Sequence, residues 1–88
     1  MNNRFEFNKA IGKQIRYFRI RRCMSQLDLA KALGIPRPGI SNMEQGLRTV
    51  NVQELIAIAN HMHINIERFF PENSYLPQDI WSKSEYIQ

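Results

Sequence analysis

The sequence lacks the residues that cross-link a chain or anchor it in a membrane. Its one cysteine, Cys23, excludes an internal disulfide, and no apolar run approaches the length that crosses a bilayer. A cleavable leader, repeats and low-complexity segments are not recognisable either. We therefore expect a soluble, cytoplasmic protein with no membrane partner.

Catalytic and metal-binding patterns are also scarce. No spacing of serine, histidine and acidic residues indicates a nucleophile with its base, and 88 residues leave little room for a pocket. His61 and His63 have the spacing of some metal ligands, but a closed zinc site needs four ligands. We expect neither an enzyme nor a protein with a metal or another cofactor.

Positive charge, by contrast, is concentrated in one half of what reads as a single domain. Residues 1–50 carry ten basic and three acidic side chains, a net charge of +7. Residues 51–88 carry two basic and five acidic side chains, a net charge of −3. The basic half suits a polyanionic partner, although a solvated basic helix would have the same composition.

Helical spacing and capping residues predict two helices at the start of the chain. Asn8 is a good N-cap for a first helix that ends near Arg22 or Cys23, and Ser25 with Asp28 forms a capping box for a second. The predicted buried faces contain Ile11, Ile15 and Phe18 in the first helix, and Leu29, Ala30 and Leu33 in the second.

Glycine and proline define a third helix. Gly34 ends the second helix in a left-handed conformation. Pro36 and Pro38 restrict the start of the third to about Arg37, because proline fits only the first turn of a helix, and Gly46 ends it. The predicted inner side consists of Ile40 and Met43.

Two more helices are predicted beyond residue 50. Asn51 and Glu54 form another cap, and Val50 with Leu55 has the spacing of a hydrophobic staple. A short fifth helix that closes the core is expected over residues 65–70, and the proline that follows prevents its continuation. The predicted apolar positions are Val52, Leu55, Ile56, Ala59 and Met62 in the fourth helix, and Ile66, Phe69 and Phe70 in the fifth.

Residues 24–46 have the pattern of a helix-turn-helix, two short helices joined by a glycine-containing turn. From about residue 11 to residue 70 the sequence resembles the Cro and phage-repressor type of domain, the XRE family. The residues that agree in order are Ile15, Arg16, Arg19, Ser25, Gln26, Leu29, Ala30, Leu33, Gly34, Ile35, Ile40, Ser41, Glu44, Gly46, Leu55 and Phe70. The resemblance implies an all-α, five-helix phage-repressor-like DNA-binding domain over residues 1–70 and a C-terminal extension over residues 71–88.

The resemblance also implies which residues contact DNA. The outer side of the third helix would read bases, as is possible for Arg with guanine and Asn with adenine. The implied base-reading residues are Arg37, Pro38, Ser41 and Asn42. The expected phosphate-contacting residues are Ser25 and Gln26 at the start of the second helix, Arg48 after the third, and Gly39, which permits close approach of the DNA backbone.

Arg19 and Glu44 match an ion pair of these domains, which we expect to be partly buried and structural.

Two positions depart from the family pattern. Pro36 stands where a Ser or Thr cap is often found, so the third helix would lack a side-chain cap. Cys23 stands where many relatives have Gly, which predicts strain if the turn is left-handed there.

The extension carries three aromatic residues, Tyr75, Trp81 and Tyr86, more than a solvated tail normally has. We expect them to form a dimer contact with a second copy, and packing back onto the same chain is the alternative.

The leading hypothesis is a homodimeric transcription regulator, a repressor that binds an inverted-repeat operator in double-stranded DNA. The alternative is an antitoxin-like module that binds a protein partner and regulates its own operon.

Overall fold

The computed structural model describes residues 4–71, and all regular structure in this range is helical. Its elements are α1 (Arg4–Arg21), α2 (Gln26–Leu33), α3 (Arg37–Gln45), α4 (Val52–Met62) and a 3-10 helix (Ile66–Phe69). The predicted all-α class is confirmed. The predicted short fifth helix is present as a 3-10 helix of four residues, Ile66–Phe69. The predicted extension lies outside the described residues apart from Pro71.

Helix α1 begins earlier than the sequence predicts. The predicted N-cap Asn8 lies inside the helix, one turn after its start, and is buried. Its side-chain amide Nδ2 donates a hydrogen bond to Thr49 Oγ1 at 3.1 Å. A partner forty-one positions away has therefore replaced the local capping bond that favours asparagine at a helix start.

The start of α2 has the predicted capping box. Ser25 Oγ accepts a hydrogen bond from the Asp28 N–H, and Asp28 Oδ2 accepts one from the Ser25 N–H, each at 2.9 Å. Gly34 and Gly46 end α2 and α3 in the left-handed conformation, with φ of 70° and 79°. As predicted, Pro36 precedes α3 without a side-chain cap.

Helix α4 also has its predicted cap, formed by Asn51 and Glu54, but its buried face is partly different. Val52 and Ile56 were expected in the core, yet Val52 is 71% exposed and Ile56 44% exposed. Ile58, which the predicted stripe omitted, is fully buried. The two assignments differ by a rotation of part of a turn, and only contacts with the other helices select between them.

The core is formed by apolar side chains from all five elements. The fully buried large side chains are Phe69, Ile15, Leu29, Ile40, Met43, Ile58 and Met62. Phe18 of α1 and Phe69 of the 3-10 helix meet edge to face, with ring centroids 5.1 Å apart. The same core holds α1 and α2 against the inner side of α3, which leaves the outer side of α3 accessible.

Candidate nucleic-acid interface

Helix α3 divides its side chains between the core and the surface. The buried residues are Ile40, Met43 and Glu44. Three of the predicted base-reading residues, Arg37, Pro38 and Asn42, are exposed, and Ser41 is half-buried. Arg37 and Asn42 are separated by about 140° around the helix, so they flank one outward edge. The structure thus brings all four together on one accessible surface.

Two close approaches of backbone set the position of α3 against α1. A Cβ atom at Gly12 would meet the Met43 carbonyl oxygen and would lie 2.7 Å from that of Glu44. A Cβ atom at Gly46 would lie 2.6 Å from the Cα atom of Lys9. Both contacts involve main-chain atoms, so at each of them a glycine lets the two backbones approach without a Cβ atom between them.

The ion pair expected between Arg19 and Glu44 is present and buried. Arg19 Nε donates to Glu44 Oε2 at 2.6 Å and Nη2 donates to Oε1 at 3.1 Å. The remaining nitrogen, Nη1, donates to the Met24 carbonyl oxygen at 2.8 Å. Only 10% of the Arg19 side chain and 2% of the Glu44 side chain are exposed. The pair joins α1, the turn before α2, and the inner side of α3.

Gln26 extends this ion pair to the protein surface. Its Nε2 donates to Glu44 Oε1 at 3.0 Å, and its Oε1 accepts from Arg37 Nη1 at 2.9 Å. A continuous set of hydrogen bonds therefore runs from the buried Arg19 through Glu44 and Gln26 to Arg37. We call these four residues the polar relay. Its outer end is a guanidinium that is held at the first residue of α3.

The first turn of α2 lies next to this guanidinium. Ser25 Oγ accepts the cap bond, and its hydroxyl retains a proton to donate. In the polar relay the Gln26 amide uses its oxygen and one of its two Nε2 hydrogens, so the second Nε2 hydrogen and the backbone N–H remain as donors. The cap also lowers the pKa of the Asp28 carboxyl, first through the backbone N–H of Ser25 and then through its side chain.

Gly39 and Ser41 make local contacts within the helix-turn-helix. A Cβ atom at Gly39 would lie 3.1 Å from Cδ1 of Ile35, so this glycine also gives room to a core side chain in the turn. Ser41 Oγ accepts a hydrogen bond from Gln45 Nε2 at 3.0 Å. The Ser41 hydroxyl proton remains available to a partner outside the chain.

Arg48 already has an anionic partner, which the sequence analysis missed. Its Nη2 donates to Glu54 Oε2 at 2.7 Å and its Nη1 donates to Oε1 at 3.3 Å. The same Oε1 accepts the Asn51 N–H of the α4 cap at 3.1 Å. The capping box made Glu54 recognisable, but nothing in the sequence indicated that the same carboxylate binds Arg48.

Cys23 and the two histidines have backbone or surface positions. Cys23 is exposed, and its φ of 58° is left-handed, which is the condition under which the sequence predicts strain in the turn before α2. His63 ends α4 with the same φ, and His61 lies exposed in the preceding turn. Within residues 4–71, no three side chains of the metal-ligating types come together. Tyr75, Trp81 and Tyr86 lie outside the described residues.

A family model described as helix-turn-helix matches residues 15–69, which include α2, α3, α4 and the last two turns of α1. The chain belongs to the XRE-type helix-turn-helix family. The family match therefore agrees with the sequence resemblance and with the accessible outer side of α3. A comparison with curated proteins gave no match.

Solved structures of regulators share the fold. The restriction-modification controller protein C.AhdI from Aeromonas hydrophila is 25% identical, with a TM-score of 0.67 over 72% of this chain and 96% of that one. The clp gene regulator ClgR from C. glutamicum is 21% identical, with a TM-score of 0.68 over 72% of this chain and 82% of that one. The BldD DNA-binding domain from S. venezulae is 22% identical, with a TM-score of 0.67 over 75% and 99%.

The family match and the solved structures of regulators support a DNA-binding regulator. The family and the fold are those of DNA-binding regulators and not of enzymes. Across residues 4–71, no helix has both the length and the apolar character needed to cross a membrane.

Proposed function

We propose that the protein is a transcriptional repressor that binds an inverted-repeat operator as a homodimer. The observation that carries the proposal is the polar relay, which holds Arg37 at the start of α3, the helix whose outer side is accessible. A recognition helix presents its N-terminal residues to base edges in the major groove. Repression then follows from occupation of the promoter by the dimer.

Arg37 is suited to read guanine while it stays bonded to Gln26. A guanidinium has five N–H donors, and the bond to Gln26 uses one of those on Nη1. The others include a neighbouring pair for the O6 and N7 atoms of guanine. Because the side chain is already held, less rotamer entropy is lost on binding than for a freely rotating arginine.

The remaining surface residues of α3 complete the proposed reading surface. Asn42 can bond adenine through its amide, and Ser41 can donate its hydroxyl proton to a base acceptor. Pro38 offers an apolar contact, for example to a thymine methyl group. Each residue is accessible on the outer side of α3.

Backbone and side-chain donors around α3 are the proposed phosphate contacts. Ser25 would donate its hydroxyl proton, and Gln26 its backbone N–H, at the N-terminus of α2, where the helix dipole favours an anion. Gly39 lets the DNA backbone approach α3 closely. Arg48 would bind a phosphate in competition with Glu54.

The homodimer follows from the geometry of an inverted repeat. One copy reads one half-site, and a second recognition helix about 34 Å away is needed to read the other. We assign the contact between the copies to the region that contains Tyr75, Trp81 and Tyr86.

The test is a selection of binding sites from a random duplex library at about 150 mM salt, near physiological ionic strength. The wild type is compared with Arg37→Ala and with Arg21→Ala as a matched loss of one charge. Arg21 lies 5.4 Å over the ring of Tyr17, and on the helix it is about 200° away from Arg19, which faces α3.

Enrichment of an inverted repeat with half-sites about one helical turn apart is the expected result. Arg37→Ala should relax selection at one position in each half-site, and Arg21→Ala should leave the motif unchanged. Weak and uniform binding by the wild type, or an identical motif with Arg37→Ala, would overturn the assigned reading role.

A further inference from the structure

An apolar groove lies between the first turns of α1 and the start of α4, on a part of the surface that the proposed DNA contacts do not use. Phe7 and Phe70 line it with ring centroids 6.4 Å apart, and the buried Ile11 and Leu55 form its floor. Its volume is about 390 Å³. We call it the α1–α4 groove.

The rim of the groove carries one exposed apolar side chain and one positive charge. Val52 is 71% exposed, the most exposed of the large apolar side chains within residues 4–71, and Arg4 is exposed on the opposite helix. A single exposed valine is ordinary, but a valine beside an apolar groove enlarges a continuous apolar surface, and its removal from water is favourable. The groove is suited to aromatic or aliphatic side chains with acidic neighbours.

The chain itself contains a segment with this chemistry. Residues 72–88, here called the aromatic tail, contain three aromatic and three aliphatic residues. Three acidic residues and one lysine give the tail a net charge of −2, opposite in sign to Arg4. The tail starts immediately after Pro71, and the neighbouring Phe70 lines the groove.

A two-fold arrangement of two copies would let each copy bind the tail of the other. If a two-fold axis passes beside the groove, the start of each tail lies close to the groove of the other copy, and the contact forms twice. Aromatic side chains bury roughly 150–250 Å² each, so six of them bury about 900–1,500 Å². That approaches the 1,200–2,000 Å² of a stable interface, whereas a tail that docks on its own chain contributes no area between copies.

We propose that the α1–α4 groove of each copy binds the aromatic tail of a second copy. The inference deepens the proposed function, because it rests on the homodimer and names the surface that forms it.

Trp81 provides a direct probe, because it is the only tryptophan in the sequence. The experiment measures its fluorescence emission and the sedimentation of the full chain across micromolar concentrations. Val52→Asp places a negative charge on the rim, and an acidic residue in the first turn of α4 favours the helix. Leu47→Asp is the matched control, since Leu47 is 65% exposed and does not line the groove.

We expect the wild type to be dimeric, with Trp81 emission at a shorter wavelength than that of the urea-unfolded chain. Val52→Asp should move the emission to longer wavelength and weaken self-association at least about ten-fold, which corresponds to about 1.4 kcal/mol. Leu47→Asp should change neither quantity. Thermal melting followed by circular dichroism should show that both variants remain folded.

The other outcomes overturn the inference in distinguishable ways. If Val52→Asp remains as dimeric as the wild type, the groove is wrong and the homodimer stands. If Trp81 is shielded in a monomer at every concentration, the tail docks on its own chain. If the wild type is a monomer with exposed Trp81, both the groove and the homodimer fail, while the base-reading role is still decided by the binding-site selection.

Discussion

At position 12 the lack of a side chain determines how α1 meets α3. A Cβ atom there would collide with main-chain carbonyl oxygens of Met43 and Glu44, and these cannot move unless α3 moves. We therefore expect Gly12→Ala to destabilise the fold by about 1–3 kcal/mol, even though alanine is the better helix former. Urea unfolding followed by circular dichroism measures the difference.

Gly39→Ala is the matched control for this substitution. Its Cβ atom would lie 3.1 Å from Cδ1 of Ile35, the end of a flexible side chain that can shift. We expect it to cost less than Gly12→Ala, because the helix preference of alanine, about 1 kcal/mol, offsets the contact. Equal losses for the two variants would contradict the assigned helix contact.

Arg19 also acts at the scale of one residue, because its removal leaves Glu44 buried and without its cationic partner. Breaking a buried pair by removing one member costs about 3–5 kcal/mol, so Arg19→Ala should lower the free energy of unfolding by that amount. The exposed Arg21→Ala provides the comparison. An Arg19→Ala variant within about 1 kcal/mol of the wild type would show that the pair is not structural.

At the scale of the helices, capping residues were the most informative part of the sequence. The caps of α2 and α4 join residues three positions apart, and the glycines that end α2 and α3 act within one turn. Such signals depend on local chemistry and can be recognised without the rest of the fold.

The helix properties that the sequence did not predict depend on distant partners. The predicted start of α1 is wrong because Asn8 forms a hydrogen bond with Thr49 instead of capping the helix. The predicted buried face of α4 differs from the observed one by a rotation about the helix axis, because Ile58, and not Ile56, faces the other helices. Neither partner is visible in a single helical repeat, so periodicity alone could not select the right face.

The cap of α2 predicts a dependence of stability on pH. The pKa of the Asp28 carboxyl is lowered from its ordinary 3.8 by the backbone N–H of Ser25 and then by its side chain. A group with a lower pKa in the folded state stabilises the fold above its unfolded pKa, and this contribution is lost as the pH falls towards the folded value. The carboxylate therefore stabilises the cap at neutral pH and loses this effect below about pH 4.

Asp28→Asn tests this dependence, since the amide oxygen can still accept the Ser25 N–H but carries no charge. We expect the wild type to be more stable than the variant at neutral pH, with a difference that shrinks as the pH falls below 3.8. Urea unfolding of both proteins at several pH values measures it. A difference that stays constant down to about pH 3 would argue against the charged cap.

At the scale of the whole molecule, Glu54 limits how much of the charge of Arg48 is available to DNA. Its carboxylate neutralises the guanidinium in a bidentate contact. Glu54→Gln retains an oxygen for the Asn51 N–H but releases the positive charge. We expect tighter DNA binding, with the slope of log K against log salt steeper by about 0.9, the value for one additional phosphate contact.

Fluorescence anisotropy of a labelled operator duplex, titrated at several salt concentrations, measures this slope. Glu67→Gln is the control, because it changes the net charge equally in the 3-10 helix, where Glu67 bonds Asn65. Equal slopes for the two variants would mean that net charge alone acts and that Arg48 gains no phosphate contact.

The sequence predicted which residues form the candidate site better than it predicted how they are connected. The Arg19–Glu44 pair and the accessible side of α3 follow from the family pattern and from helical spacing. The bond between Gln26 and Arg37 joins side chains eleven positions apart in the chain and depends on the angle between α2 and α3. No local pattern encodes that angle.

The two sides of α3 separate the residues that stabilise the fold from those proposed to read DNA. The side chains that fix the helix in place, Ile40, Met43 and Glu44, point inward, whereas Pro38 and Asn42 are exposed. Surface substitutions away from special contacts usually change stability by less than about 0.5 kcal/mol. Under the proposed base-reading role, Pro38 and Asn42 can be replaced to change the preferred DNA sequence with little loss of stability, whereas Arg37 is constrained because Gln26 holds it.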